Sequence, residues 1–535
     1  MNILNTLKKP LHSKRLQFLL DNHKVTLLKQ GLKGIEKESL RLSKQGFIAQ
    51  TPHPYKLGSA LAHPQITTDY SESLLEFITP PFKKIDDTLH NMYQIHQFAY
   101  QTLEHDEYLL SSSMPCGING DKSIPIAQYG QSNIGKMKHV YRKGLDFRYG
   151  RTMQAIAGIH FNYSAPDALI NALHQVEQPS QDFTEFKSSV YFDLIRNVQR
   201  QGWIILYLFG ASPAICKNFF KTRPELSEQF NEFDAGTLYH PYATSLRMSD
   251  IGYKSNNQAS LDINYNSLNG YVDSLSDAIN TPYPDYHIDE LNTESPQQLN
   301  SNILQIENEY YSTVRPKQII KPCEKPTLAL KRRGVQYVEL RSLDLDIFNP
   351  IGIGNDCSRF IEAFLLSCLL QDSPDMSAAD FKTVNDNQLK VAHQGRKPDL
   401  KLNKNQHEIP LKQWANQILD SMQIVCEALD ENEAHDYYCQ ALNTQRRLIE
   451  NPDLTPSARI LAAMKSNQQT FSAFSDSLSR QHQQTFSTQP LNTTTQAMFE
   501  NMAQDSHQQQ KNIESQDSLD FNAFLQHYFN QTDDC

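Results

Sequence analysis

Short segments that alternate polar and apolar residues constrain the fold of this chain most strongly. They run from Gly31 to about Asp344 and are bounded by turn residues, which is the pattern of β-strands. Helical stretches lie between them, at about 84–106 and 184–208. The order lacks the regular strand–helix–strand rhythm of a parallel sheet. The sequence therefore predicts an α+β fold built on an antiparallel sheet.

The C-terminal part of the chain has a different pattern. From Asp356 to about Asn467 the apolar spacing is mostly helical, and the segment after it is rich in Gln, Asn and Ser. Phe471, Phe474 and Leu478 lie at i, i+3 and i+7, which predicts short amphipathic helices, with a solvated tail as the alternative. The sequence thus divides into three predicted units: a helical lead-in at 1–30, a main domain at 31–465 and a polar tail at 466–535.

Charge and cysteine content exclude several classes of function. The net charge is −10 and no block of Lys and Arg occurs, so binding to nucleic acid or to an anionic membrane is not expected. The eight cysteines are scattered without a CxxC pair, which favours reduced thiols over a disulfide framework or a zinc site. The N-terminus lacks a signal-peptide pattern, and the most apolar stretch, 203–215, is too short to span a membrane. We predict a cytoplasmic protein.

Acidic side chains recur on one face of the predicted strands. Glu36 and Glu38 lie two residues apart, so they share a strand face at a spacing of about 6.6 Å, which suits neighbouring divalent ions. Glu76 lies within an apolar run, where a buried carboxylate needs a partner or a metal. Glu339 and Arg341 also share a face. The alternative for Glu36 and Glu38 is a solvated strand face, and the alternative for Glu76 is an edge strand that faces water. The alternative for Glu339 and Arg341 is a structural salt bridge.

Histidine and amide side chains accompany these acids. His160 and Asn162 share a strand face, although a lone histidine is more often structural. One further predicted strand carries four polar residues on one side: Gln305, Glu307, Glu309 and Tyr311. Several acidic strands turned to one surface, together with His and Arg, predict a polyanion site neutralised by Mg²⁺.

Common phosphate-binding and hydrolase motifs are missing or incomplete. Residues 130–136 match GxxxxGK, but Met137 replaces the Ser or Thr that would hold Mg²⁺, so we interpret the match as chance. The sequence contains no GxGxxG, GxSxG or HExxH. Phosphate binding in this chain must therefore rely on metals and arginines.

Eight segments, in order, resemble the monofunctional bacterial glutamate–cysteine ligase family. They are GIEKESLRL, ITTDYSESLLEFITP, AQYGQSNIGKMKHVYRKGL, GIHFNYS, YLFGASPAIC, PYATSLRMSDIGY, NILQIENEYYSTVRPK and VELRSLDLDIFNPIGI. The resemblance runs from about residue 31 to about residue 464. It implies a fold like the catalytic part of glutamine synthetase, in which an antiparallel sheet curves into a funnel with flanking helices, followed here by a helical C-terminal region.

The resemblance also implies the reaction. ATP, the co-substrate, phosphorylates the γ-carboxylate of L-glutamate, and the amine of L-cysteine attacks the γ-glutamyl phosphate. The products are γ-glutamylcysteine, ADP and phosphate, in the first step of glutathione biosynthesis. The implied cofactor is Mg²⁺, with Mn²⁺ as an alternative ion, and the implied assembly is a monomer.

Site residues follow from the same resemblance. The family's metal ligands fall on Glu36, Glu38, Asp69, Glu76, His160 and Glu339. The arginines that face the transferred phosphate fall on Arg247 and Arg341, and the glutamate-binding residues on Gln154 and Asn162. The aromatic residues that enclose the cysteine side chain fall on Tyr141, Tyr253 and Tyr311, although ordinary core packing is the alternative for three tyrosines.

Two other functions are compatible with parts of this pattern. A carboxylate–amine ligase or guanidino kinase of the same superfamily would share the metal acids without needing the tyrosines. A silent relative would act as a binding or regulatory protein, but such relatives usually lose charged site residues, and all six are present here. The chain is too short for an added ATP-grasp half, so we expect the product to stop at the dipeptide. A small aromatic pocket also predicts weak discrimination against 2-aminobutyrate.

Overall fold

An antiparallel sheet lies at the centre of the computed structural model, which describes residues 13–104, 106–221, 223–252, 258, 261–286 and 296–532. In chain order, the strands of these residues are β1 (Leu32–Leu42), β2 (Ile66–Thr68), β3 (Leu74–Ile78), β4 (Tyr108–Leu109), β5 (Ile159–Ser164), β6 (Ala214–Cys216), β7 (Asn231–Asp234), β8 (Thr237–Tyr239), β9 (Val314–Lys317), β10 (Tyr337–Leu343), β11 (Lys401–Lys404) and β12 (His407–Pro410).

The strand order places β1, β5 and β10 in the middle of the sheet. The order is β2-β3-β1-β5-β10-β9, every neighbouring pair is antiparallel, and β4 pairs with the C-terminal end of β1. Two smaller antiparallel sheets are formed by β6-β8-β7 and by β11-β12. The predicted α+β class with an antiparallel sheet is confirmed, whereas its curvature into a funnel stays a prediction.

Helices surround the sheet. In chain order, those of the described residues are α1 (Lys14–Asp21), α2 (Ile85–Thr102), α3 (Asn133–Tyr149), α4 (Asp167–Glu177), α5 (Phe183–Gln201), α6 (Trp203–Phe209), α7 (Leu268–Asn280), α8 (Pro326–Arg333), α9 (Asn355–Leu370), α10 (Ala378–Gln394), α11 (Leu411–Asp430), α12 (Tyr437–Glu450), α13 (Pro456–Asn467), α14 (Phe471–Thr488), α15 (Thr493–Gln516) and α16 (Phe521–Phe529). No helix in these ranges is long and apolar enough to cross a membrane.

The strand β1 is buried on both faces, and its two faces carry opposite charges. Glu36 and Glu38 point to one side, because side chains alternate along a strand. On the other side, Lys33 contacts Glu362 of α9 and Lys37 contacts His96 of α2. Helices therefore cover the back of the strand and leave its acidic front for the site described below.

Most of the described residues of the segment 466–535 lie in three helices, α14, α15 and α16. Each begins at a capping side chain that accepts a backbone N–H bond, Thr470 for α14, Asn492 for α15 and Asp520 for α16. The prediction of short helices underestimated α15, which spans 24 residues. Few residues of α15 are buried, Phe499 and Ala503 among them. The sequence therefore contains few regularly spaced apolar residues from which this helix could be predicted.

Candidate active site

The register of the central strands brings distant acids together. Glu36 on β1 lies opposite His160 on β5, and Glu38 lies opposite Glu76 on β3. Glu339 on β10 lies opposite Asn162 on β5. Directly opposite residues on one face of an antiparallel pair have Cβ atoms about 4.5–5.5 Å apart, so the pairing itself concentrates these side chains on one surface.

His160 is at the centre of the acidic surface. Its Nδ1 atom lies 3.1 Å from Glu36 Oε2 and 3.7 Å from Glu339 Oε1, and its Nε2 atom lies 3.7 Å from Glu38 Oε1. Glu36, His160 and Glu339 each offer a ligand atom within 4.8 Å of the others. Asn162 Nδ2 donates to Glu36 Oε1 (2.8 Å), which fixes the carboxylate from its other side.

Two contacts of His160 Nδ1 bear on the proton that this atom carries. The shorter, 3.1 Å to Glu36, is satisfied when Nδ1 carries the proton and donates it, whereas the longer, 3.4 Å from Arg341, needs Nδ1 as the acceptor, so the shorter contact favours the Nδ1-protonated ring. The Nε2 atom is buried, has no hydrogen-bond partner among the described residues and lies on the side of Glu38. Burial, and then Arg341, lower the pKa of His160, which keeps the ring neutral. A neutral imidazole with a free, buried lone pair is a metal ligand by its chemistry.

Glu38 is held in a position that favours its protonated form. Burial, and then the charge of Asp69, raise the pKa of Glu38 to about 8. The charges of Arg247 and Arg341 and the N–H of Gly158, which donates to Glu38 Oε2 (2.6 Å), oppose that rise. Hydrogen bonding therefore positions the carboxyl group of Glu38. The positive charge nearby is not enough to offset the cost of ionising this group in its buried position.

Glu76 shows the same deficit of positive charge. Burial raises the pKa of Glu76 well above its ordinary value, and four other carboxylates raise it further. In order of effect, these are Glu36, Asp69, Glu38 and Glu339. A divalent cation is the group that would let all of these carboxylates ionise together.

Cationic side chains compensate one edge of the surface. Burial would raise the pKa of Glu339, but neighbouring charges hold it well below its ordinary value; in order of effect they are Lys317, Arg341, His160 and Arg315. Arg341 donates to Glu339 Oε2 (3.0 Å), and Lys317 Nζ lies 3.3 Å from Glu339 Oε1. The acidic surface therefore has a basic border on the β9 and β10 side.

Arg247 lies directly behind this border. Its side chain donates to the carbonyl of Arg341 (3.0 Å) and lies 3.8 Å from Asp344 Oδ1. Gly158 contacts the guanidinium so closely that any Cβ at that position would overlap it. A glycine is therefore required at 158 for this arginine to reach the site.

The predicted substrate-binding residues are close to the arginines. Gln154 Nε2 donates to the hydroxyl of Tyr311 (3.2 Å), and Tyr311 lines one cavity together with Arg247 and Arg341. Burial, and then Glu309 and Tyr311, raise the pKa of Tyr141, and the carbonyl of Tyr141 accepts from Gln305 Nε2 (3.2 Å), six residues before Tyr311. Tyr253, the third predicted pocket residue, lies outside the described residues.

The prediction that residues 305–311 form a strand is wrong. Glu307–Glu309 is one turn of 3₁₀ helix, and Glu309 points into the core. There Glu309 Oε1 accepts from Arg148 NH1 (2.9 Å) and from Tyr149 (2.7 Å). Glu309 thus finds its partners on α3 and not on a neighbouring strand. Because these partners are distant in the chain, the local sequence pattern could not predict them.

Two basic residues of the border were missed. Arg315 and Lys317 alternate along β9 and therefore point to the face that carries Glu339. Alternation in the short run VRPK was the available signal, but a charged residue in a short strand containing proline reads as a solvated edge.

The near-match at 130–136 does not form a phosphate loop. α3 begins within it, at Asn133, and no strand directly precedes it among the described residues of that segment. A Cβ on Gly130 would collide with Gln510 and Glu514 of α15, so the C-terminal tail covers this loop. The interpretation of the motif as chance agrees with this geometry.

Comparisons with known proteins identify relatives of the chain. A family model for glutamate-cysteine ligase matches residues 16–391. Proteins named glutamate–cysteine ligase from Pseudomonas putida and Pseudomonas aeruginosa are 48% and 47% identical to the chain, over 96% of it and 97% of their own lengths.

Two solved structures are also similar. The chain superposes on a glutamate–cysteine ligase from Francisella tularensis in complex with AMP with a TM-score of 0.88 and 38% identity, covering 94% of this chain and 97% of the other. A bifunctional glutathione synthetase from Pasteurella multocida gives a TM-score of 0.72 and 25% identity, covering 90% of this chain and 57% of the other.

Proposed function

The chain belongs to the glutamate–cysteine ligase family, and we propose that the acidic face of β1, β5 and β10 is the site of its reaction. The enzyme joins the γ-carboxylate of L-glutamate to the amine of L-cysteine and converts ATP to ADP and phosphate, in the first step of glutathione synthesis. The observation that carries the assignment of the site is the convergence of Glu36, His160 and Glu339 within 4.8 Å.

The chemistry explains why such a surface is needed. A γ-carboxylate oxygen attacks the terminal phosphorus of ATP, the bond to ADP breaks, and an acyl phosphate forms. The amine nitrogen of cysteine then attacks the acyl carbon and loses a proton, and phosphate leaves. Both substrates of the first step are anions, so the protein mainly supplies positioning and positive charge.

The residues present fit Mg²⁺. Carboxylate oxygens are its preferred protein ligands, and we propose as ligands Glu36, Glu38, Asp69, Glu76, His160 and Glu339. The raised pKa values of Glu38 and Glu76 indicate that these groups face too little positive charge on their own. Bound Mg²⁺ would neutralise the phosphate oxygens and orient the triphosphate. The imidazole ligand also suits Mn²⁺ as an alternative ion.

The two arginines are proposed to act on the transferred phosphoryl group. Arg341 contacts Glu339 on one side and opens into the cavity on the other. Arg247 is fixed by Asp344 and by the carbonyl of Arg341, so its guanidinium is held in place before substrate arrives. Fixed donors of this kind are typically worth a factor of about 10²–10³ in rate each.

The amino acids are proposed to bind next to the arginines. Gln154 and Asn162 would hold glutamate, a role that two contacts support: Asn162 donates to Glu36, and Gln154 donates to Tyr311, which lines the cavity beside the arginines. Tyr141, Tyr253 and Tyr311 would enclose the cysteine side chain. A pocket that recognises a thiol mainly by shape should accept 2-aminobutyrate, with a preference for cysteine below about 200-fold.

An ADP-release assay tests the function. We expect ADP release at the full rate only when glutamate, cysteine and a divalent ion are all present. γ-Glutamylcysteine should then form in an amount equal to that of ADP. A guanidino kinase would release ADP with a phosphorylated guanidine and no dipeptide, and a silent relative would release none. Glu232→Gln, at an exposed residue of β7, is the matched control for site substitutions. Addition of glycine should yield no glutathione.

A further inference from the structure

The last described helix, α16, is not free in solvent but closes a small apolar cluster at one side of the molecule. Its Tyr528 is buried against Met137 and Val140 of α3 and against Leu299. Further side chains pack around these four: Ile134, Tyr141, Ile306, Phe521, Phe524, Leu525 and Phe529. The cluster is separate from the main core of the protein.

Hydrogen bonds tie both ends of the α16 segment to the body. Before the helix, the N–H of Asn133 donates to Asp517 Oδ2 (2.5 Å), and Asn133 Nδ2 donates to the carbonyl of Leu519 (2.8 Å). After the helix, Gln531 Nε2 donates to the carbonyl of Cys323 (2.7 Å). The segment therefore spans from the start of α3 to the loop before α8.

The cluster joins the two segments that carry the proposed thiol pocket. Tyr141 lies on α3 and packs against the cluster, and so does Ile306, five residues before Tyr311. The same two segments are also linked directly, because Gln305 Nε2 donates to the carbonyl of Tyr141 (3.2 Å). α16 packs on this junction, since Tyr528 belongs to the same apolar cluster as residues of both segments.

We propose that α16 is a positioning element that sets the spacing of Tyr141 and Tyr311 and thereby the affinity for the amine substrate. This inference rests on the proposed function of those tyrosines. The central strands carry three of the proposed metal ligands, but α3 also contacts the site, because Arg142 Nε donates to the carbonyl of Asp69 (2.5 Å). α16 packs on α3 near Tyr141, so loosening it should raise the KM for cysteine more than the KM for ATP or for glutamate.

Substitutions on the buried side of α16 test this inference in the full-length protein. For Phe524→Ala with Leu525→Ala, we expect KM for cysteine to rise at least about fivefold, while KM for glutamate and for ATP stay within about twofold. Gln526→Ala, on the exposed side of the same helix, is the control and should change no constant. Tyr528→Phe should keep the KM for cysteine near that of the natural chain, whereas Tyr528→Ala should raise it.

A milder variant keeps the test valid if the double substitution prevents folding. Asp517→Ala removes only the exposed tether to Asn133 and leaves the apolar cluster whole, and we expect a rise of about twofold in KM for cysteine alone. Equal changes in all three KM values, or an unchanged KM for cysteine in every folded variant, would overturn the positioning role. If the natural chain forms no γ-glutamylcysteine at all, the proposed function fails instead, so the two failures are distinguishable.

Discussion

The two faces of β1 bury charge in opposite ways. On the back, Lys33 Nζ lies 2.7 Å from Glu362 Oε1, both side chains are fully buried, and Tyr438 donates to the second carboxylate oxygen (2.6 Å). On the front, Glu38 and Glu76 face other carboxylates, and burial together with that repulsion raises the pKa of both. The buried Lys33 therefore has its counter-charge within the protein, whereas we propose that the front receives its counter-charge from a bound cation. The comparison teaches that a buried charge on one strand can be balanced by a protein partner on one face and left for a ligand on the other.

Removal of one partner from the back pair should have the largest effect. Glu362→Gln leaves the ammonium of Lys33 buried without a counter-charge, and such losses cost about 3–5 kcal/mol of the free energy of unfolding. Urea unfolding followed by circular dichroism measures it. KM values of the remaining folded enzyme should stay unchanged, and a variant as stable as the natural chain would remove the contrast between the faces.

An amide on the front should have the reverse effect. Glu38→Gln keeps an acceptor for the N–H of Gly158 and, above pH 8 where the carboxyl group is ionised, removes one of several repelling charges, so the metal-free protein should unfold at the same temperature or higher. Activity should fall by a factor on the order of 10²–10³. Differential scanning calorimetry and the ADP assay measure both quantities. A clear loss of stability together with full activity would show that Glu38 is structural.

The Mg²⁺ dependence of stability should vary with pH. The folded-state pKa of Glu38 is raised to about 8 from 4.5, so the metal-free folded chain binds more protons, and this site lowers stability as pH rises from 4.5 to 8. Mg²⁺ binds the ionised group and should raise the melting temperature more at pH 8 than at pH 6. Glu38→Gln should flatten this difference. A Mg²⁺ effect that is equal at both pH values in the natural chain would contradict the deficit of positive charge.

Lys37, on the back, should show the opposite dependence of stability on pH. Burial lowers the pKa of Lys37 to about 7 from 10.5, so the folded state holds an unfavourable charge below pH 7, and this site gains stability as pH rises from 7 to 10.5. Lys37→Met should therefore stabilise the protein more at pH 6 than at pH 9, as thermal melts at the two pH values would measure. If the stability gained by Lys37→Met instead grew with pH, the charged amine of Lys37 would be better stabilised in the folded protein than its burial implies.

The strands of the site could be predicted from the sequence because alternation is local. The runs that contain Glu36, Glu76, His160 and Glu339 form β1, β3, β5 and β10, and the stretch near 84–106 forms α2. The front face of β1 followed from a period of two residues. The helical pattern at 184–208 was also found, although Gly202 divides it into α5 and α6.

Other features depend on contacts between distant residues and could not be predicted. The sequence pattern predicts that Glu309 lies on a strand, and only the structure shows that Arg148, 161 residues away, donates to its carboxylate. From the sequence, Lys317 is predicted to be a solvated lysine. Only the pairing of β9 with β10 shows that it belongs to the site. The packing of α16 on α3 is equally distant, since Tyr528 meets Met137. Local periodicity carries no information about such partners.

Anomalous diffraction from crystals grown with Mn²⁺ and a non-hydrolysable ATP analogue tests the central claim most directly. The front face of β1, β5 and β10 should hold Mn²⁺ at coordination distances of about 2.0–2.2 Å from oxygen or nitrogen atoms of Glu36, His160 and Glu339, with the phosphates completing the shell. Manganese found only at exposed acids, with the triphosphate bound away from this face, would contradict it.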